Sequence, residues 1–256
     1  MALKGIDVSE HQGVIDWQKV KADGVQFAMI RAGFGRNNID PYFKRNISEC
    51  NRLEIPVGIF WFSYAYTREM SIREAQYCLA AIKGYKVDYP VFCDIEYDTT
   101  NYAARNGVKM TKTLASDMAL AFMETIKAAG YKTGWYSNLD WVRNYLTSSA
   151  LDSWPLWFAQ YASRKTYSGK ADVVMWQYSD KGRVNGINGN VDMDYCYKDY
   201  SKEVKPVAKE PWYITDGTWE KAKELGLMDG KRPTENITRA EVAAVAVRLY
   251  KLIKEG

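Results

Sequence analysis

Three apolar runs of this chain lead into acids. Asp7 follows the run in GIDVSEHQG, Asp94 and Glu96 follow PVF in PVFCDIEYD, and Asp192 and Asp194 lie in NVDMDY. Side chains alternate along a strand, so Asp94 and Glu96 point to one face, within about 7 Å at a rise of about 3.3 Å per residue. Carboxyls gathered in a buried mouth repel one another, and one is pushed towards staying protonated at neutral pH. A protonated carboxylic acid beside ionised ones is what cleavage of a glycosidic bond needs. One group protonates the leaving oxygen; another stabilises the oxocarbenium-like charge or activates a nucleophile. Two other uses compete: a half-exposed pair on an edge strand, and a carboxylate cage for Mg²⁺ or Ca²⁺. The PVF run is too apolar for an edge and no metal-binding loop accompanies the acids, so neither a metal nor a cofactor is expected.

The other reactive side chains are few. His11 is the sole histidine, which argues against a His-based zinc site and against any Ser-His-Asp triad not built on it. Cys50, Cys78, Cys93 and Cys196 show no CxxC spacing and sit in apolar or helical stretches, so buried free thiols are expected. Aromatics recur beside the ends of the apolar runs: Phe62 and Tyr64, Trp135 and Tyr136, Trp157 and Tyr161, Trp176 and Tyr178. Gln160, Gln177 and Asn138 keep them company. One such ring is more often core than contact. Their recurrence favours a cleft in which aromatic faces stack on sugar rings and amides bond hydroxyl and N-acetyl groups.

Something must hold these residues together. Eight short runs rich in aromatic and β-branched residues, at 4–8, 27–32, 57–64, 90–95, 133–136, 156–160, 173–178 and 191–195, read as buried strands. Between them lie helical stretches at 16–22, 41–53, 70–82 and 111–129, the last ending at Gly130, where a helix stop favours glycine. Strand and helix in about eightfold alternation predict a (β/α)8-type barrel over residues 1–200, with active residues at the C-terminal ends of its strands. The later connections are shorter or rich in Gly and Ser, so the barrel should be irregular. Residues 201–211 read as a charged, proline-containing linker. Residues 212–256 read as a small all-α module. One of its helices is capped at Thr238, with Glu241 completing a capping box.

The chain has 256 residues, 47% of them apolar and 26% charged, and a net charge of +4. That is a globular composition. The charge suits an anionic polymer such as a cell wall and does not point to nucleic acid. No apolar run is long enough to span a membrane. The start MALKGIDVSEHQG lacks a secretory pattern, so synthesis in the cytoplasm is the expectation.

Residues 3–200 resemble the glycoside hydrolase family 25 lysozymes. The resemblance rests on GIDVSEHQG, FAMIRAGFG, the strand leading into DIE, TGWYSN, LWFAQY, VMWQYS and NVDMD, in the family's order. It implies an irregular β/α barrel with an acidic groove. It also implies cleavage of the β-1,4 bond from N-acetylmuramic acid to N-acetylglucosamine with net retention. Glu96 matches the general acid, and Asp7, Asp94 and Asp192 match the acids that complete the site. Tyr64, Tyr136, Trp157, Gln160 and Trp176 fall where the family has cleft residues. Two departures stand out. Ser63 occupies a stretch where members often carry a histidine, and Asp194 replaces what is often an amide.

The tail, with WEKAKELGLMDG and ITRAEVAAVAVRLY, is similar to a single S-layer homology repeat. That implies binding to secondary polymers of Gram-positive walls, or self-association into a homo-oligomer. Barrel plus tail imply a phage endolysin that waits in the cytoplasm for holin-type release. The rival class is a non-catalytic wall-binding protein on a barrel scaffold; the intact acid set argues against it. A chitin-type barrel would end its acid strand in a longer D-x-x-D-x-D-x-E run, which PVFCDIEYD lacks.

Overall fold

The computed structural model describes residues 2–202, together with Glu224, Val245 and Val247. The chain divides into two units between Glu203 and Val204. Nearly all of the expected linker, and the expected helices of the tail except those three residues, lie outside the described residues.

Within the first unit, nine strands form one sheet: β1 (Leu3–Val8), β2 (Phe27–Phe34), β3 (Asn38–Ile39), β4 (Val57–Phe62), β5 (Val91–Asp94), β6 (Thr133–Asn138), β7 (Leu156–Ala159), β8 (Val173–Gly182) and β9 (Val191–Cys196). The order is β1-β9-β8-β7-β6-β5-β4-β2-β3, and pairing of β1 with β2 closes the eight long strands into a barrel. All eight expected strands are present; β3 is a short antiparallel extension of β2. One expectation needs correcting. Strand-helix-strand alternation does not run to the end, because β9 lies antiparallel to both β8 and β1. Antiparallel neighbours need no crossover helix, so the short segment 183–190 suffices to join them.

The helices wrap the outside: α1 (Trp17–Ala22), α2 (Phe43–Arg52), α3 (Arg68–Ile82), α4 (Tyr97–Arg105), α5 (Lys112–Ala128) and α6 (Leu139–Asn144). Their starts follow from local chemistry. Asp16, Thr67 and Thr111 each accept a backbone N–H from the first turn of α1, α3 and α5, at 3.2, 3.2 and 3.1 Å. Helices α3 and α5 pack side by side, pinned where the Ser71 hydroxyl donates to the Met118 carbonyl at 2.7 Å.

Alternation along the strands builds two apolar layers. Outward residues such as Ile6, Ile30, Ile59, Val91 and Phe158 pack under the helices. Inward residues Phe27, Met29, Phe60, Phe92, Tyr136, Trp157 and Met175 fill the barrel. Rings this large fit because small residues face them. A Cβ on Gly134 would lie 2.7 Å from the Phe92 ring and would strike the Pro155 carbonyl. The four cysteines are buried and free, as their neighbours in sequence led us to expect.

Candidate active site

Inward positions that carry rings in the middle of the barrel carry acids at its rim. Asp7 is the inward residue near the end of β1, and Asp94 ends β5. Glu96 lies just beyond β5, in the residue before α4. Its backbone is still extended (φ −134°, ψ −170°), so the alternation carries across and Glu96 keeps the Asp94 face. Its N–H donates to Thr99 Oγ1 at 3.1 Å, and the Thr99 hydroxyl donates to the Ser63 carbonyl at 2.6 Å. The loop after β4 thereby fixes the Glu96 main chain. Ser63, where a histidine was one expectation, is buried in that loop and faces no open cleft.

Asp192 and Asp194 reach the same rim by another route. They sit towards the start of β9, not at a strand end as expected. Because β9 runs backwards, its start lies beside the ends of the parallel strands. The register sets Asp192 opposite Asp7, and Asp194 opposite Gly5 and Gln177. In the closed order, β5 stands four strands from β9. Asp94 and Glu96 therefore face Asp7, Asp192 and Asp194 across the mouth.

The two walls have the same electrostatic plan: one half-buried acid backed by deeper ones. On the β5 wall, Asp94 is 5% exposed. Burial and then the Glu96 charge push its carboxyl well above the usual range, against a smaller pull from Arg31. Half-buried Glu96 is pushed up to about 6, by burial first; its hydrogen bond with Asp94 opposes this, and the charges of Asp98 and Asp192 add to it. Asp94 Oδ1 is buried with no N–H or hydroxyl partner, so the partner left to it is a carboxyl proton. On the opposite wall, burial and then the charges of Asp194 and Asp192 hold Asp7 well above its ordinary range. Asp192, half-buried, is raised to about 6 by burial and by Asp180. Asp194 is fully buried and raised to about 7 by burial, with hydrogen bonds from Trp157 and Asp7 opposing.

Gln177, expected only as one of three amides beside the rings, organises the floor. Gln177 Nε2 donates to Asp7 Oδ2 at 2.8 Å, and Gln177 Oε1 accepts from the hydroxyls of Tyr136 at 2.9 Å and Tyr161 at 3.1 Å. The signal was available, since Met175 and Gln177 alternate onto the inner face of β8. Tyr161, noticed only as one of many rings, is 54% exposed at the rim.

The five expected cleft residues separate. Half-buried Tyr64 packs edge-on to Phe34 and Tyr102 beside the β5 wall. Tyr136 is 8% exposed and lies on the floor. Trp157 is 1% exposed, and its Nε1 donates to Asp194 Oδ1 at 2.8 Å; it supports an acid and has no face free for a ligand. The Gln160 side chain closes its own loop, accepting from Thr166 N at 2.8 Å and donating to Thr166 Oγ1 at 2.9 Å. Trp176 is 9% exposed, on the outer side of β8, and is tied to the Gln160 carbonyl at 2.9 Å. Trp157, Gln160 and Trp176 are therefore supports in this structure, not cleft contacts. A surface cavity of about 690 Å³, lined by residues including Lys19, Arg45, Glu49, Arg52 and Asn185, lies against α1 and α2 and holds none of the acids.

Comparison with known proteins bears on this arrangement. The sequence profile of "Glycosyl hydrolases family 25" matches residues 6–187. The chain is 30% identical over 198 residues to the uncharacterized protein YegX of Escherichia coli, covering 75% of this chain and 68% of that protein. It is 28% identical over 193 residues to the autolytic lysozyme of Clostridium acetobutylicum, covering 75% of this chain and 55% of that one. Among solved structures, it resembles the modular autolysin LytC of Streptococcus pneumoniae in complex with a synthetic peptidoglycan ligand. That match has a TM-score of 0.69 and 27% identity, and covers 77% of this chain and 47% of LytC. The chain thus matches only about half the length of these two autolytic proteins.

Proposed function

The chain belongs to glycosyl hydrolases family 25, and from that membership we propose that it is a muramidase. It hydrolyses the β-1,4 bond between N-acetylmuramic acid and N-acetylglucosamine in peptidoglycan. The observation that carries the reading is the pair of opposed acid walls, each with a half-buried acid backed by a deeper one that burial pushes well above the usual carboxyl range. Glu96 is the acid within reach of the mouth on the β5 wall. It donates a proton to the leaving glycosidic oxygen and recovers one from the attacking water in the second step, while its hydrogen bond with Asp94 holds it in place. Asp192 faces it. We assign Asp192 to orient the substrate's own N-acetyl group as the internal nucleophile, because Asp94 lies deeper and is occupied with Glu96. The acetamido oxygen attacks from the face opposite the leaving group, and water then enters on the face the leaving group vacated; two inversions give net retention. Tyr64 and Tyr161 supply aromatic faces at the rim for the sugar rings. The peptidoglycan ligand of LytC supports this substrate class.

The wider setting follows the same reading. The tail that is similar to an S-layer homology repeat anchors the enzyme to secondary wall polymers or joins copies of it, and the whole is a phage endolysin released through the membrane by a holin. The autolytic lysozyme and LytC favour a second origin, a bacterial autolysin with the same chemistry. Digestion of purified Gram-positive peptidoglycan, followed by borohydride reduction and mass spectrometry, tests the activity. Reduced muramic acid at the new ends is expected. Reduced glucosamine at those ends, or no new ends, would overturn the reading.

A further inference from the structure

Asp194 has no part in the proposed reaction, yet it is a fully buried carboxyl beside one that does. Its two oxygens are not equivalent. Oδ1 accepts from Trp157 Nε1 at 2.8 Å, whereas Oδ2 is buried with no N–H or hydroxyl partner. Asp7, hydrogen-bonded to Asp194, is similarly divided: its Oδ2 accepts from Gln177 Nε2 at 2.8 Å. In this orientation Gln177 Oε1 accepts from Tyr136 and Tyr161, so the amide offers Asp7 a donor. The buried Asp194 Oδ2 is left with the Asp7 carboxyl as its partner, and two carboxyls that meet must share a hydrogen, because an unpaired buried carboxylate oxygen is expensive.

We propose that Asp194 is a positioning residue acting through Asp7: it anchors the Asp7 carboxyl in its protonated form, so that Asp7 presents a hydrogen-bond donor, not a charge, to the acids of this wall. Asp7 is also hydrogen-bonded to Asp192, and that bond favours the ionised form of Asp192. The result is a graded wall. Asp7 has one hydrogen for both neighbours: Asp194 takes it from behind, and Asp192 gains because a neutral Asp7 stands beside it in place of a second charge, so Asp192 meets the substrate as the anion. The groups that act on Asp7 and Asp194 through charge or hydrogen bonds include Asp192, Gln177, Trp157, Tyr136, Tyr161, Tyr178, Cys196 and each other, and none of them is cationic. No positive charge among them competes for the role. This deepens the muramidase reading and rests on it for its catalytic consequence, but the position of the proton does not.

Two measurements on the full chain separate the two claims. The first is infrared titration of the protonated-carboxyl stretch, in which the wild-type minus Asp7→Asn difference isolates Asp7. In Asp194→Asn the anchor becomes an amide that donates to Asp7 and carries no charge. The Asp7 midpoint should fall by at least about one pH unit. Trp157→Phe frees Asp194 Oδ1, draws the proton towards Asp194 and should lower the Asp7 midpoint too. An Asp7 midpoint unchanged in both variants overturns the proposal, whether or not the protein cleaves peptidoglycan. The second is the pH profile of peptidoglycan cleavage. The acidic limb of kcat, which reports ionisation of Asp192, should move to higher pH in Asp194→Asn, because an ionised Asp7 opposes the Asp192 charge, with KM within about twofold. A profile that only drops in height, with both limbs in place, would make Asp194 purely structural and overturn the proposal.

Discussion

Replacing Gln177 with leucine removes the side chain that ties the floor of the mouth together, and the cost can be worked out bond by bond. Three hydrogen bonds go, at 2.8, 2.9 and 3.1 Å. The Tyr136 hydroxyl belongs to a residue only 8% exposed, so it is left buried without its acceptor, at about 1–3 kcal/mol. Asp7 loses one donor, worth about 1 kcal/mol. Tyr161 is half-exposed and its hydroxyl turns to water at little cost. Leucine fills nearly the same volume, so no cavity penalty is added. The sum is roughly 2–4 kcal/mol, which for a barrel of this size lowers Tm by roughly 4–16 °C. Thermal unfolding followed by circular dichroism reads the shift, and peptidoglycan turbidity clearance should fall with it, because Asp7 loses its fixed orientation. The same substitution made in a Tyr136→Phe background should cost about 1–2 kcal/mol less, since the orphaned hydroxyl is no longer there. A Gln177→Leu protein within about 1 °C of wild type, or costs that simply add in the double variant, would refute the network.

Other outcomes follow from the same structure. The acids at the mouth have folded-state pKa values above their unfolded ones, so the stability they allow is fully present below about pH 4 and is lost as pH rises through about 6 for Glu96 and Asp192 and about 7 for Asp194. Asp192→Asn should therefore unfold at higher temperature than wild type at pH 7.5, with the gap closing by pH 4.5; calorimetry at the two pH values showing a constant gap would contradict this. Gly134→Ala forces a Cβ into the Phe92 ring and the Pro155 carbonyl and should cost about 1–3 kcal/mol by overpacking. An unchanged denaturation midpoint would show that the barrel interior has slack which these contacts deny.

Much of the barrel was legible because its rules are local. Alternation in VFCD and VDMDY marked the acid-bearing face, and apolar periodicity ending at Gly130 marked α5; the Thr67 cap that starts α3 was missed. The reversal of β9 was not legible, because an alternating pattern reads the same in either direction and only the pairing partner tells them apart. Helix α4 was missed because YDTTNYAAR has little apolar periodicity; it is held by Thr99 bonding back to Glu96 and Ser63. Depth misled the reading of Trp157, and a local loop bond that of Gln160. An indole or an amide near a strand end looks like a sugar contact, yet one is spent on Asp194 and the other on Thr166 six residues away. Gln177 was noticed as an amide of the cleft, but its partners were not legible: an amide inside an apolar strand gives no hint of how many groups converge on it.

The central claim is that Glu96 supplies the proton that breaks the glycosidic bond. The most direct measurement is the rate at which new reducing ends form on peptidoglycan with the intact protein and with Glu96→Gln, at equal concentration of folded enzyme. Glutamine matches the shape and keeps a hydrogen bond to Asp94 but has no proton to give. The account predicts a fall of at least about 100-fold with Tm equal to or above that of wild type. A rate within roughly tenfold of wild type, below what a lost general acid costs, would contradict it.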